Sequence, residues 1–345
     1  MSSMPSSPSE AALPDWLWRY LGVAAPAEDA EWQQGGQPFV MRGGIPRSRA
    51  LVSAAQEQTE QVFGFKWQKR DTFDRPEVLA AHRSWMLQRY GDPTSFAWLD
   101  NYDKPPLLID AGCGASWSGL ELFEPVLPRL RYLGIDISEA VDVARRRFAE
   151  RGCEGGFVQA DIANLPFAPG SVDIIFSEGV LHHTDSTEGA LKSLARLLKV
   201  GGRFMFYVYR RKGPVREFTD DLLRDRMRAM TPEQAWKAME PLTRLGIALG
   251  ELNVEVDIPE PIDLLEIPAG RINLQRLFYW HVAKAFYRPD FTFDEMNHIN
   301  YDWYAPRNAQ RQSIEEVRTW CQECGLEIER ERVEEAGITI VAVKR

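Results

Sequence analysis

Between positions 107 and 209 short apolar blocks alternate with stretches of helical periodicity. "PLLIDAG" reads as a short buried strand, and "SGLELFEPVLP" as a helix stopped by Pro128. "RYLGIDIS" is a second strand, and "EAVDVARRRFAERG" is a helix closed by Gly152. "GFVQADI" and "SVDIIFSEGV" follow as third and fourth strands, then the helix "TEGALKSLARLLKVGG" and a fifth strand, "RFMFYVY". Strands alternating with helices at this rhythm predict a parallel sheet with helices on both faces. In such sheets ligands bind beyond the carboxyl ends of the strands.

The pattern changes on either side of this block. Residues 14–105 are rich in Trp and charge, with helical periodicity in "RPEVLAAHRSWMLQRYG". Residues 210–311 turn irregular, aromatic and proline-bearing, and "SIEEVRTWCQECGLEIERERVEEAGITIVAVKR" then reads as helix, strand, turn and strand. The expected division is an arm or cap over 1–105, a core over 106–209, an insertion over 210–311, and a return to the core sheet over 312–345. A compact fold needs only a short connection where the insertion stands.

The turn after the first strand carries the clearest chemistry. Gly112 and Gly114 let the backbone approach a ligand closely. A dinucleotide pyrophosphate and a nucleoside without phosphate both fit such a turn. The dinucleotide fingerprint wants a third glycine where this chain has Trp117, and Asp110 puts an acid where a pyrophosphate would sit badly. Asp110 suits a cationic ligand or an ordered loop. Asp136 ends the second strand, where a carboxylate accepts from both ribose hydroxyls, and Asp161 follows the third strand, where one accepts from an adenine amino group.

Composition narrows the partners. The chain has 345 residues, of which 44% are hydrophobic, enough for a sizeable core. Its 41 basic and 50 acidic residues leave a net charge of -9, which argues against nucleic acid as the partner. Cys113, Cys153, Cys321 and Cys324 are few and unevenly placed, as in a reducing cytoplasm. Cys321 and Cys324 form a CxxC, but they fall in the amphipathic "EEVRTWCQECG" with no second Cys or His pair beside them. "MSSMPSSPSEAALP" lacks the features of a signal peptide, and no apolar run reaches the length of a membrane span. A cytoplasmic protein without membrane contact is expected.

"DAGCG", "GIDIS", "ADIANLPF", "VDIIFSEGVLHH" and "LLKVGGRFMF" stand in the order and at the spacing of the class I S-adenosylmethionine-dependent methyltransferases. The chain resembles that family strongly over 107–209 and more weakly over 312–345. The resemblance implies an α/β, Rossmann-like sheet of seven mostly parallel strands with the last antiparallel. An N-terminal helical arm and a helical lid after the fifth strand complete the expected fold. The implied cofactor is S-adenosylmethionine. Gly112 and Gly114 would meet its amino-acid end, Asp136 with Ile137 its ribose, and Asp161 with Ile162 its adenine. Asp110 and Ser177 complete the implied cofactor set within the core. The family often carries a further Gly where this chain has Ser116.

Two outlying segments extend the resemblance. "WQQGGQPFVMRGGIPR" looks like the closing half of a small zinc-ribbon found with some methyltransferases, here without its cysteines. "FGFKW" resembles an arm that precedes the domain in similar bacterial enzymes, which would bring Trp67 to the cofactor.

Methyl transfer is an in-line displacement, and a base is needed only where the acceptor must lose a proton. The end of the fourth strand supplies the candidates Glu178, His182 and His183. The histidines read equally as packing beneath the sheet. With Asp185 the same residues make a conceivable ligand set, but no metal is expected. Tyr301, Trp303 and Tyr304 are the candidate acceptor walls, and Arg210, Arg211, Lys212 and Arg216 the candidate anchor for an anionic acceptor, Arg210 foremost. The expected function is methyl transfer to a small molecule in specialised metabolism. The alternatives are an RNA-modifying methyltransferase and a silent cofactor-binding subunit, with a nicotinamide dehydrogenase the weakest rival. Oligomeric state stays open, a homodimer included.

Overall fold

The computed structural model describes residues 12–65 and 75–345, together with the backbone of 66–68. A short helix, α1 (Asp15–Leu21), is followed by a three-stranded antiparallel meander of β1 (Glu31–Gln34), β2 (Gln37–Arg42) and β3 (Ile45–Ser48). Its two corners are the pairs Gly35–Gly36 and Gly43–Gly44, all four with positive φ, as two-residue hairpin turns require. Two helices, α2 (Ala54–Gln68) and α3 (Pro76–Tyr90), lead into the core.

The core strands are β4 (Leu107–Ala111), β5 (Arg131–Asp136), β6 (Gly156–Gln159), β7 (Val172–Glu178) and β8 (Leu198–Tyr209), joined in parallel as β6-β5-β4-β7-β8. The intervening helices are α4 (Trp117–Phe123), α5 (Ala140–Glu150) and α6 (Thr187–Leu197). β4 is buried along its whole length, because helices cover both faces of the sheet. Each fully buried Leu, Ile or Phe along these strands contributes about 1.5–3 kcal/mol of transfer free energy. α4 is shorter than its sequence pattern. It closes at Phe123 and tightens into a 3-10 turn over Glu124–Arg129, which holds Pro128.

The insertion holds α7 (Pro214–Met227), α8 (Pro232–Glu251), β9 (Glu255–Ile258), β10 (Gly270–Asn273), α9 (Leu274–His281) and α10 (Phe293–Tyr304). It is not purely helical, since β9 and β10 pair as an antiparallel hairpin. Thr231 and Thr292 each cap their helix reciprocally with a side chain three residues on, Gln234 and Glu295. The chain then returns through α11 (Ile314–Glu323), β11 (Leu326–Val333) and β12 (Gly337–Lys344). β12 runs antiparallel between β8 and β11. Cys321 is buried on α11, and Cys324 follows at its cap.

The expected mostly parallel sheet with an antiparallel last strand is present, but among the described residues it has ten strands rather than seven. The N-terminal arm is not purely helical. Its meander joins the sheet through β3, which runs parallel to β6 with Arg47 opposite Gln159. That edge would otherwise expose unpaired backbone groups. Arg47 secures the junction, donating to Gln159 at 2.7 Å and to Asp142 at 2.8 Å. "GIPR" forms the second corner and the start of β3.

Candidate active site

The loop from β4 to α4 bends back over the end of β5. The N–H groups of Gly112 and Cys113 both donate to the Ile135 carbonyl, at 2.7 and 2.9 Å. Gly112 has φ +80°, and a Cβ there would stand 2.2 Å from the Val180 side chain. Gly114 has φ +51°, and its N–H donates to Asp136 Oδ2 at 2.8 Å. Ser116 also sits in the left-handed region, with φ +54°. Its hydroxyl lies 3.1 Å from the Tyr132 hydroxyl, so a tertiary contact helps hold a conformation that glycine would adopt freely.

Asp136 organises this corner. Its other oxygen accepts from the Ser138 N–H at 2.9 Å and from the Ser138 hydroxyl at 2.7 Å. Asp161 caps the turn at Ile162–Asn164 by accepting from the Ala163 N–H at 2.9 Å, and burial raises its carboxyl. Asp110 is placed otherwise. It lies behind the loop, fully inside the protein, and accepts from the Tyr132 hydroxyl. Burial pushes its carboxyl up to about 7; the Tyr132 bond opposes this, while the charges of Asp136 and Glu178 add to it.

A cavity of about 670 Å³ opens over the carboxyl ends of the strands. Gly112, Gly114, Asp136, Ile137, Asp161 and Ile162 line its sheet side. Asp110 and Ser177 do not line it. Asp110 is turned into the core, and Ser177 donates its hydroxyl to the Ala111 carbonyl at 2.8 Å, tying β7 to β4. Strand side chains alternate in direction, and these two face away from the cavity. Trp67 belongs to α2, but its side chain lies outside the described residues.

The three candidate bases separate. Glu178 lines the cavity but is paired, accepting from Arg89 at 2.6 Å and from the Tyr90 hydroxyl. Burial raises its carboxyl, and the Arg89 charge opposes the rise. The Arg89 guanidinium is held between the rings of Trp85 and Tyr207, at 3.5 and 3.7 Å from their centres. His182 does not line the cavity. It is fully buried, stacks on Tyr209 at 3.6 Å, and accepts from the Tyr209 N–H at 3.3 Å. Burial drives it well below the ordinary histidine range, so it stays neutral. His183 does line the cavity, with Nδ1 2.6 Å from the Asn308 carbonyl. A carbonyl only accepts, so Nδ1 carries the proton, and in the neutral ring Nε2 is the basic nitrogen.

Of the expected acceptor walls only Trp303 lines the cavity. Tyr301 and Tyr304 are buried in the core cluster behind that wall with Val62, Met227 and Met239, a cluster that Trp303 also joins. Helical geometry explains the split, since neighbouring residues on α10 project about 100° apart. Arg210 is exposed and outside the cavity, at the end of β8. Lys212 and Arg216, two and six residues further on, line it instead.

Sequence reasoning missed the wall built by α2 and α3. Thr59 and Phe63 come from α2, and Val78, His82 and Trp85 from α3. The signal was present, because Val78, His82, Trp85 and Arg89 follow one another at three- and four-residue spacing. His82 stacks on Trp117 at 3.6 Å, so α3 closes directly over the glycine loop. Tyr279, Trp280 and Lys284, from α9 and the segment after it, were missed as well.

A family described as a methyltransferase domain matches residues 109–206. A malonyl-[acyl-carrier protein] O-methyltransferase of Legionella pneumophila is 32% identical over 103 residues, which are 30% of this chain and 36% of that protein. A protein named "Probable tRNA methyltransferase 9B" of Mus musculus is 33% identical over 136 residues, 38% of this chain and 28% of its own length. The uncharacterized methyltransferase YcgJ of Bacillus subtilis is 34% identical over 146 residues, 40% of this chain and 56% of its own length. The chain thus spans from 28% to 56% of these relatives. Among solved structures, the 1,6-didemethyltoxoflavin-N1-methyltransferase of Burkholderia thailandensis aligns over 92% of this chain and 99% of its own, with 14% identity and a TM-score of 0.44. The family match falls on the strands and loop that build the sheet side of the cavity. Residues 109–206 thus match a methyltransferase domain, and the relatives aligned with this chain are themselves named as methyltransferases.

Proposed function

We propose that the protein transfers a methyl group from S-adenosylmethionine to a small-molecule acceptor. One observation carries this reading: a single cavity runs from the glycine loop and the two strand-end acids to an aromatic chamber under the insertion. The residues present suit the cofactor. A side chain at 112 would fill the space beside Val180, and Asp136 and Asp161 face the cavity from neighbouring strands. In the proposal Gly112 and Gly114 admit the amino-acid end, Asp136 and Ile137 hold the ribose, and Asp161 with Ile162 hold the adenine. When bound, S-adenosylmethionine supplies an electrophilic methyl group on a sulfonium.

The remaining chemistry belongs to this chain. Trp85, Trp117, Tyr207 and Trp303 exclude water and fix the approach of the acceptor. Glu178, held by Arg89 and Tyr90, places negative charge at the strand end and keeps this wall rigid. His183 is the group positioned to take a proton from the acceptor, through Nε2. His182 serves as packing.

The aromatic enclosure and the net charge of -9 support a small acceptor over a polynucleotide. The test is label transfer from S-adenosylmethionine carrying a radioactive methyl group, offered a small-molecule extract and bulk transfer RNA in parallel. Label is expected in the small-molecule fraction. Label confined to RNA would refute the acceptor assignment, and no transfer at all would favour a silent cofactor-binding subunit.

A further inference from the structure

Charge is divided across the cavity. Asp136, Asp161 and Glu178 line the sheet side, whereas the lining cations Lys212, Arg216, Lys284 and Arg288 all come from the insertion, with Asp302 its one lining acid. Arg288 is committed to Asp290 at 2.6 Å. The other three surround Trp303. Lys284 lies 4.6 Å from its ring centre, Arg216 5.3 Å and Lys212 5.7 Å.

Arg216 and Lys212 are held in place by hydrogen bonds. Arg216 is 1% exposed and donates to Asp220 at 2.8 Å and to the Tyr279 carbonyl. The other Asp220 oxygen accepts from the Trp303 indole N–H at 2.8 Å, so one buried carboxylate orients both Arg216 and Trp303. Lys212 donates through Nζ to two carbonyls, Arg210 at 2.8 Å and Ala336 at 3.0 Å, and among the described residues it pairs with no carboxylate. An ammonium has three hydrogens, which leaves one for a ligand. Its surroundings disfavour that charge. Burial, and after it the Arg216 charge, lowers Lys212 to about 7. The charged and titratable groups facing it are Arg210 just after β8, Arg216, Glu217 and Asp220 on α7, and neutral His182 below. A buried cation held beside another cation gains from an anion in the cavity.

We propose that this end of the cavity is an anion-binding acceptor subsite, in which Lys212, Arg216 and Lys284 take a carboxylate or phosphate group of a ring-bearing acceptor. The ring would lie against Tyr279, Trp280 and Phe286, which line the same region. As an acceptor subsite this rests on the methyltransferase reading above; as an anion site it does not. Arg216 serves as an oriented donor already neutralised by Asp220, and Lys212, as the ammonium that the anion favours, brings the charge.

The probes are 2-naphthoate, 2-naphthyl phosphate and the neutral isostere 2-naphthamide, titrated calorimetrically into the full chain with and without S-adenosylhomocysteine. At least one anion is expected to bind about tenfold or more tightly than the amide, a difference of about 1.4 kcal/mol. Comparing the two anions separates a carboxylate from a phosphate acceptor. Binding near pH 7.5 should take up protons, seen by repeating the titration in buffers of different ionisation heat, because the anion favours the Lys212 ammonium. Lys212→Met should abolish that uptake, and Lys284→Met should lower the anion preference while leaving uptake in place. Equal affinity for anions and amide, no binding of either anion, or a preference that survives both substitutions would overturn the proposal. Failure of S-adenosylhomocysteine to bind would count against the methyl-donor reading alone, since the probe titration without it still decides the anion site.

Discussion

Asp110 and Asp136 are both strand-end acids, and their surroundings give them different roles. Asp136 faces the cavity with Gly114 and Ser138 as donors, whereas Asp110 is sealed behind the loop against Tyr132. Because the folded protein raises Asp110 to about 7 from an unfolded value near 3.8, the folded state binds the extra proton between those limits. The stability this contributes is fully present below about 3.8 and is lost as pH rises through 7. Asp110→Asn, which keeps the shape without the charge, should gain on wild type by up to about 1.4 kcal/mol per pH unit across that window. Urea denaturation of both proteins from pH 5 to 8 checks this, and parallel curves would show that Asp110 is not protonated in the fold. Gly112→Ala should fold but lose cofactor affinity, because a positive φ and the Val180 contact together force the loop to move. Calorimetry with S-adenosylhomocysteine reads the loss, and unchanged affinity would place the ligand elsewhere. The two glycines and the acids at 136 and 161 were legible from sequence because backbone turns and strand ends have local signatures. The inward turn of Asp110 and Ser177 was not, since it depends on which face of a fully buried strand meets the cavity.

At the scale of elements, the five core strands were legible as continuous apolar runs. The meander over 31–48 was read only as a likeness to half of a zinc-ribbon and its joining of the main sheet was not seen, its strands being short and polar at many positions, although two Gly-Gly pairs mark its corners. Periodicity found α3, but only packing shows that its Val78, His82 and Trp85 stripe covers the glycine loop. The same limit applies to α10, where Trp303 reaches the cavity while Tyr301 and Tyr304 fill the core. Tyr304→Ala should therefore cost stability, about 3–5 kcal/mol for removing a buried aromatic. Its hydroxyl also accepts from the Lys284 N–H at 2.7 Å, so the cost falls partly on the cavity wall. Chemical denaturation reads the loss directly. A variant of native stability with impaired acceptor use would instead return Tyr304 to the acceptor site.

Across the whole molecule, the sheet supplies acids and glycines, and the insertion supplies aromatics and cations, to one cavity between them. The N-terminal helices α2 and α3 form the third wall, so three separate stretches of sequence meet around the cavity. Only the sheet portion was specific in sequence, because its motifs are local, whereas the other walls are assembled by tertiary packing. The central claim is that the sheet side of this cavity holds S-adenosylmethionine through Asp136. Calorimetric titration of S-adenosylhomocysteine into wild type and Asp136→Ala tests it most directly. Removing the charge-assisted bonds of that carboxylate, worth about 1.5–3 kcal/mol, should weaken binding roughly ten- to a hundredfold. Wild type should bind one equivalent per chain, with Asp136→Ala weaker by that factor and still folded by circular dichroism. Absence of binding heat for wild type, or equal affinity in the folded variant, would contradict the account.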